Sequence, residues 1–150
     1  MRVVIQRVSQ CTVTTHSVLK SSIGNGLLVL AGFEDEDSVE DLEWMSKKIS
    51  SLRIFNDRDG VMNLSLNEVN GELMVVSQFT LHAKTKKGNR PSYIKAAKPE
   101  IAIPLYQKFV SLLSADTGTD VKTGEFGADM KVSLINDGPV TIFIDSKNKD

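Results

Sequence analysis

Residues 73–81 read LMVVSQFTL, an apolar and β-branched run that follows an Asn70-Gly71 pair. This composition predicts a strand, and because Asn-Gly commonly closes a two-residue turn, we expect the strand to be one arm of a hairpin. Side chains alternate along a strand, so one face should carry Ser77, Phe79 and Leu81 and the other Gln78, Thr80 and His82. Polar groups therefore end an apolar strand on both faces. An edge strand that turns into solvent and a binding site both have this pattern.

Residues 136–141 read NDGPVT and separate an alternating segment, Met130–Ile135, from a last predicted strand, Val140–Ile144. Proline has no N–H and a fixed φ, and X-Pro is the one common place for a cis peptide bond. A glycine in front of it leaves the backbone uncovered. Gly138-Pro139 is therefore either an ordinary turn between two strands or an exposed piece of rigid backbone.

The composition is that of an ordinary globular domain. At 150 residues, with 41% hydrophobic and 25% charged residues, the chain is long enough to bury a core as one domain over residues 1–150. It has no run of about 18 apolar residues that would span a membrane, and no secretory pattern at its N-terminus. Its one cysteine, Cys11, has no partner for an internal disulfide. We expect a cytoplasmic protein without a membrane partner.

Charge is distributed unevenly along the chain. The formal net charge of −1 argues against holding nucleic acid by bulk electrostatics. Seven acids nevertheless lie within residues 34–43, whereas no acid lies between Glu72 and Glu100, a stretch that carries Lys84, Lys86, Lys87, Arg90, Lys95 and Lys98. This basic loop, residues 84–98, is either a solvated loop or a patch that contacts phosphates beside the SQFTL stretch.

Strands and two helices are predicted in the rest of the chain. Residues 1–9, 10–16 and 27–33 are predicted strands, and a short strand is expected over 121–126. Ser38 is placed to cap a helix with Asp41 at its third position. An apolar stripe follows at spacings of three and four, namely Val39, Leu42, Met45, Ile49 and Leu52.

A second helix is predicted from Pro99 to about Ala115, with either a start near Ile103 or a kink at Pro104. Its apolar side is expected to contain Ile101, Leu105, Phe109, Leu112 and Leu113. The predicted fold class is α+β, with a mostly antiparallel, barrel-like sheet and two packed helices in a single domain.

Nucleophilic catalysis is one chemistry to consider, because the stretch contains Ser77, Thr80 and His82. A serine needs a base within hydrogen-bonding reach, but Ser77 and His82 fall on opposite faces of a continuing strand. Thr80 and His82 share a face, roughly 6–7 Å apart by strand rise, which is too far for a direct hydrogen bond. The histidines and the cysteine lack ligand spacing, and Met62 stands where a calcium loop starting at Asp57 requires glycine. Neither a hydrolytic triad nor a metal is expected.

Seven ordered blocks carry a family resemblance that runs essentially end to end: MRVVIQRVS, IGNGLLVLAG, LRIF, SQFTL, KKGNRPSY, GEFGADM and NDGPVT. On these blocks the chain resembles the D-aminoacyl-tRNA deacylases, also called D-tyrosyl-tRNA deacylases. The resemblance implies hydrolysis of the ester between a D-amino acid and the terminal adenosine of tRNA, without a cofactor.

The resemblance also implies roles for particular residues. Ser77, Gln78 and Thr80 would be catalytic, with donors that hold the substrate and stabilise an oxyanion, and Phe79 would contact the substrate. Either Thr80 or the ribose 2′-OH of the tRNA would assist hydrolysis, and the absence of an evident base for Thr80 favours the 2′-OH.

Selectivity is implied to come from a cis Gly138-Pro139 bond that reaches into the active site of the other subunit of a homodimer. A rigid backbone wall can exclude L-amino acids by steric clash while glycine passes. Arg7, with Gln6, matches the N-terminal block and is either a substrate-binding residue or a structural ion-pair partner. His82 is not expected to be catalytic. The competing interpretation is a non-catalytic nucleic-acid-binding module that uses the basic loop, although few aromatic side chains lie near it.

Overall fold

The computed structural model describes residues 1–150 and is organised around one long strand, β1 (Arg2–Thr15). One edge of β1 pairs antiparallel with β3 (Gly26–Gly32) along its first half and with β2 (Val18–Ile23) along its second half. The other edge pairs antiparallel with β8 (Met130–Asp145) along nearly its whole length. These three pairings with one strand produce the barrel-like core that the sequence predicts.

The chain from residue 52 to residue 77 pairs differently from the prediction. β4 (Phe55–Asn56) and β5 (Met62–Leu64) form a separate two-stranded sheet, and β6 (Glu72–Ser77) lies parallel to β3. The hairpin predicted at Asn70-Gly71 is therefore wrong. Residues 73–76 are all buried, and a strand that is buried on both faces suits the parallel interior of a sheet better than an exposed hairpin arm.

The far edge of the sheet is short. β7 (Lys122–Thr123) pairs in parallel with β6, so only two residues of the strand predicted over 121–126 are extended and paired. The sheet as a whole is mixed, with strand order β2-β1-β3-β6-β7 and β8 on the free edge of β1.

The first helix, α1 (Val39–Ser51), has the predicted cap. The Ser38 hydroxyl accepts from the Asp41 N–H while the Asp41 carboxylate accepts from the Ser38 N–H, so two otherwise unpaired donors are satisfied. Leu42, Met45 and Ile49 are buried as expected. Val39, the first residue of the helix, is half exposed, so the buried stripe begins at Leu42.

The second helix, α2 (Pro99–Thr117), begins at Pro99 and includes Pro104, so the alternative start near Ile103 is wrong. Phe109 and Leu113 are buried and Leu105 and Leu112 are partly buried, as predicted, whereas Ile101 is exposed. The buried side also contains residues that were not predicted, namely Ala102, Tyr106 and Thr117. The helix is turned so that Tyr106 reaches the sheet, where its hydroxyl donates to the Val75 carbonyl at 2.8 Å. Neither helix is long and apolar enough to cross a lipid bilayer.

Alternation along the central strands divides the buried side chains into two clusters. Leu73 and Val75 of β6 point toward the helices and join a cluster of 21 buried residues, whereas Met74 and Val76 join a cluster of 7 on the opposite face. Met130, Val132 and Leu134 of β8 pack against the smaller cluster. Both faces of β6 are therefore covered, and its C-terminal end is held on a packed support.

Candidate active site

The SQFTL stretch is a strand end followed by a tight helical turn. β6 ends at Ser77, and Phe79–His82 forms one 3₁₀ turn. The strand predicted to continue to Leu81 is therefore wrong beyond Ser77. The reason is that β3, the pairing partner, ends at Gly32: Ser77 is opposite Ala31, and the Gln78 N–H makes the last cross-strand bond, to the Ala31 carbonyl at 2.7 Å.

The turn brings two predicted catalytic side chains into contact. The Gln78 amide Nε2 donates to the Thr80 hydroxyl at 2.5 Å. The first backbone bond of the turn runs from the Leu81 N–H to the Gln78 carbonyl, so the N–H groups of Phe79 and Thr80 precede it and have no acceptor within the turn. The site therefore has two backbone donors at a strand end, but the partner of Thr80 is an amide and not a base.

A cavity of about 240 Å³ opens at this end of the sheet. Ser77, Gln78 and Phe79 line it on one side, and Gly127, Ala128 and Met130 line it on the other, above Val76 and Val132. Its volume lies below the roughly 300–1,000 Å³ of pockets that enclose a drug-sized ligand, so it has room for only part of a ligand of that size. The residues on the second side belong to the GEFGADM block, whose composition and spacing alone indicate no role.

The Gly-Pro stretch forms a wide bulge in β8. In the pairing with β1, Asn136 is opposite Val8 and Thr141 is opposite Gln6, so the four residues between them are opposite Arg7 alone. The Gly138-Pro139 bond is cis. The segments on either side are one continuous strand with a shifted register, so of the two alternatives for Gly138-Pro139 the turn between two strands is wrong.

Arg7 is the side chain that holds this bulge. It is buried, its Nε donates to the Asp137 carbonyl at 3.0 Å, and one terminal nitrogen donates to the Ile54 carbonyl at 2.7 Å. The Asp137 carboxylate lies 3.9 Å from Nε, and the Asn56 side chain accepts a longer bond of 3.4 Å. Of the two predicted roles for Arg7, these contacts support the structural one. Its partners Ile54 and Asn56 have no signal in the sequence.

Gly138 is required at its position in the bulge. Its φ is +135°, a conformation that residues with a side chain rarely adopt. A Cβ built there would lie 3.0 Å from an Arg7 terminal nitrogen and 2.9 Å from the Val140 side chain. Backbone conformation and packing therefore both exclude a side chain, and the Gly138 backbone stays uncovered.

The predicted site residues fall into two groups in the chain. Ser77, Gln78 and Phe79 line the cavity and Thr80 contacts Gln78, whereas Gly138, Pro139 and Arg7 do not line it. No group of three or more His, Cys, Asp or Glu side chains converges to form a metal site. Burial raises the pKa of the Cys11 thiol to about 11, so this cysteine stays protonated.

His82 is fully buried at the end of the 3₁₀ turn, and neither ring nitrogen has a hydrogen-bond partner. The nearest charged group is the Glu34 carboxylate, 3.8 Å from Nδ1. Because His82 makes no hydrogen bond to Thr80, the structure provides no histidine base for that hydroxyl.

The chain is similar to known proteins over nearly its whole length. The family model described as D-Tyr-tRNA(Tyr) deacylase matches residues 4–145. The D-aminoacyl-tRNA deacylases of Flavobacterium psychrophilum and Bacteroides fragilis are 67% and 64% identical, over the whole of both chains. A solved structure named c-Myc DNA Unwinding Element Binding Protein is 39% identical, covers 97% of this chain and 98% of its own, and superposes with a TM-score of 0.91. The chain is therefore a member of the D-Tyr-tRNA(Tyr) deacylase family.

Proposed function

We propose that this protein hydrolyses the ester bond of D-aminoacyl-tRNA, and also of glycyl-tRNA. It thereby releases the wrong amino acid from tRNA in the cytoplasm. The observation that carries the proposal is identity of 67% over the full length to a D-aminoacyl-tRNA deacylase, in a chain whose SQFT segment borders a cavity. Water adds to the ester carbonyl, the bond to the ribose oxygen breaks, and a proton passes to that oxygen. The products are free tRNA and a D-amino acid.

In this proposal the SQFT segment binds the ester and stabilises the oxyanion. The N–H groups of Phe79 and Thr80 are available because they precede the first hydrogen bond of the turn. Preorganised donors of this kind commonly provide the largest single contribution to catalysis. Thr80 is a poor nucleophile, since its hydroxyl contacts the Gln78 amide and no base. The ribose 2′-OH of the substrate is the better candidate to assist the attacking water.

Stereochemical selection is assigned to the Gly138-Pro139 backbone acting on the site of a second subunit. Two observations support an arrangement between subunits. Gly138 and Pro139 do not line the cavity of their own chain, and the face of β8 beside them exposes Ile135 and Phe143, each more than half accessible. A rigid backbone wall discriminates between stereoisomers by steric clash, and glycine, which has no side chain, passes it.

The test is the rate of hydrolysis of one tRNA charged in parallel with a D-amino acid, the same L-amino acid and glycine. Loss of the D- and glycyl-esters with the L-ester spared is the expected result. The protein's mass in solution is measured under the same conditions, and a monomer with full selectivity would contradict the arrangement between subunits. Thr80→Ala is expected to retain measurable hydrolysis, and total loss in a folded variant would overturn this expectation.

A second candidate function is binding of nucleic acid without catalysis. The observation that favours it is the name of the solved structure with 39% identity, which describes a DNA-binding protein. Absence of hydrolysis on all three esters by folded, dimeric protein would support this second function. Salt dependence also distinguishes the two functions. A protein that only binds nucleic acid loses affinity steeply as ionic strength rises, whereas a deacylase still hydrolyses the D-ester faster than the L-ester.

A further inference from the structure

The basic loop forms a defined arm beside the cavity. Lys84 and Ser92 exchange two backbone hydrogen bonds, of 2.8 and 3.1 Å, which close residues 85–91 into a projecting segment. We call residues 84–92 the basic arm. Seven residues that leave and return extend at most roughly 12 Å beyond the Lys84–Ser92 bridge. The arm is therefore long enough to lie along a few phosphates of an extended strand.

The charges of the arm are not neutralised within the chain. Lys84, Lys86, Lys87 and Arg90 are exposed, and none of them takes part in an ion pair. Lys122 and Lys131, by contrast, each pair with an aspartate two residues away. With no acid between residues 72 and 100, the arm is a concentrated positive surface on a chain of net charge −1.

An aromatic contact fixes the arm relative to the site. The ring of Tyr93, the residue after the arm, packs edge-on against the ring of Phe79 with centroids 5.1 Å apart. Phe79 also lines the cavity, so a polyanion on the arm passes directly beside the position proposed for the ester. Lys95 and Lys98 continue the positive surface at the base of the arm, and both are exposed.

We propose that the basic arm binds the sugar-phosphate backbone of the substrate RNA next to its aminoacylated 3′ end. This inference rests on the proposed function, because it takes that RNA as the ligand. Basic side chains contact phosphates without reading sequence, so the arm serves tRNAs that carry different amino acids. The arm increases affinity for the RNA and leaves the chemistry at the ester to the SQFT segment.

The test compares K86Q/K87Q/R90Q with a control, K20Q/K47Q/K108Q, which removes three exposed and unpaired charges from β2, α1 and α2. Binding of uncharged tRNA is measured from 50 to 200 mM salt. Loss of three phosphate contacts reduces the steepness of the plot of log affinity against log salt concentration by about 2. The rise from 50 to 200 mM salt should therefore weaken tRNA binding by the control about 20-fold more than tRNA binding by the arm variant. Hydrolysis is measured on D-aminoacyl-tRNA and on a D-aminoacyl-adenosine ester that has no RNA backbone.

The arm variant is expected to lose activity at least tenfold relative to the control on D-aminoacyl-tRNA at low salt, with equal rates for both proteins on the small ester. Equal tRNA binding and equal rates for the two triple variants would overturn the proposal that the basic arm binds RNA. The proposed deacylase function would be unaffected by that result. Wild-type protein that hydrolyses neither substrate would overturn the deacylase function. A single-stranded DNA of tRNA length that binds more tightly than tRNA, through the same three charges, would overturn RNA as the ligand.

Discussion

Replacing Arg7 with methionine should both destabilise the fold and weaken stereochemical selection. The guanidinium donates to two backbone carbonyls, those of Asp137 and Ile54, at 3.0 and 2.7 Å. A hydrogen bond that involves a charged group contributes about 1.5–3 kcal/mol, and part of this is offset because methionine removes the desolvation cost of a buried charge. The net loss should be about 2–4 kcal/mol, which lowers Tm by roughly 5–15 °C for a chain of this size.

The functional consequence follows from what Arg7 holds. Without the Arg7 guanidinium, the bulge that carries Gly138-Pro139 loses its anchor. The backbone that excludes L-amino acids is then no longer held in a fixed position. Activity on the D-ester should persist, while the ratio of D- to L-ester hydrolysis should fall by about tenfold or more, which corresponds to 1.4 kcal/mol of discrimination. Arg7→Lys should resemble Arg7→Met, because a single ammonium group cannot reach both carbonyls as the planar guanidinium does.

The assay combines denaturant unfolding with parallel rates on D- and L-aminoacyl-tRNA. Arg53→Met is the matched control: Arg53 also donates to a backbone carbonyl, that of Asn63 at 2.8 Å, but it is exposed. We expect the control to lose less than about 1 kcal/mol and no selectivity. A folded Arg7→Met protein that loses less than about 1 kcal/mol and keeps the wild-type ratio would refute the assignment of Arg7 as the anchor of the bulge.

Three further predictions concern residues around the site and the first helix. His82→Leu should leave stability at neutral pH unchanged or raise it by about 1 kcal/mol in urea unfolding, since two buried ring nitrogens without partners are removed; a loss above about 2 kcal/mol would mean that the pair with Glu34 stabilises the turn. Gly32→Ala should reduce deacylation about tenfold or more with a smaller effect on Tm, because the new Cβ would lie 2.7 Å from the Gln78 carbonyl oxygen and displace the SQFT turn; wild-type rates would contradict this. Burial opposes ionisation of Asp41, but hydrogen bonds from Lys147 and Ser38 outweigh it and hold the pKa of this carboxyl below its usual range. Its stabilisation is therefore present above the unfolded pKa of about 4 and lost as pH falls below it, so Tm measured from pH 6 to pH 3 should fall more for wild type than for Asp41→Asn, and parallel curves would count against it.

Local features of the fold could be predicted because their signals lie within a few residues. The Ser38 cap and its bond with Asp41 join positions three apart, and the buried stripe of α1 follows from helical spacing alone. The position of the SQFT stretch at the end of an apolar strand was likewise predictable from composition. The point where that strand ends was not, because it depends on where β3 ends, more than 40 residues earlier in the chain.

The sequence by itself determined the existence of the main strands, the two helices, the α+β class and the seven blocks that carry the family resemblance. Tertiary structure decided the parallel pairing of β6 with β3 and the contact of Tyr106 in α2 with the Val75 carbonyl. The same holds for the contacts of Arg7 with Asp137 and Ile54, which are 130 and 47 residues away. It also decided that the Gly138-Pro139 bulge lies outside the cavity of its own chain. The physical reason is that hydrophobic periodicity and helix caps depend on residues that are close together in the sequence. Strand pairing and buried hydrogen bonds depend instead on how distant segments of the chain pack against one another.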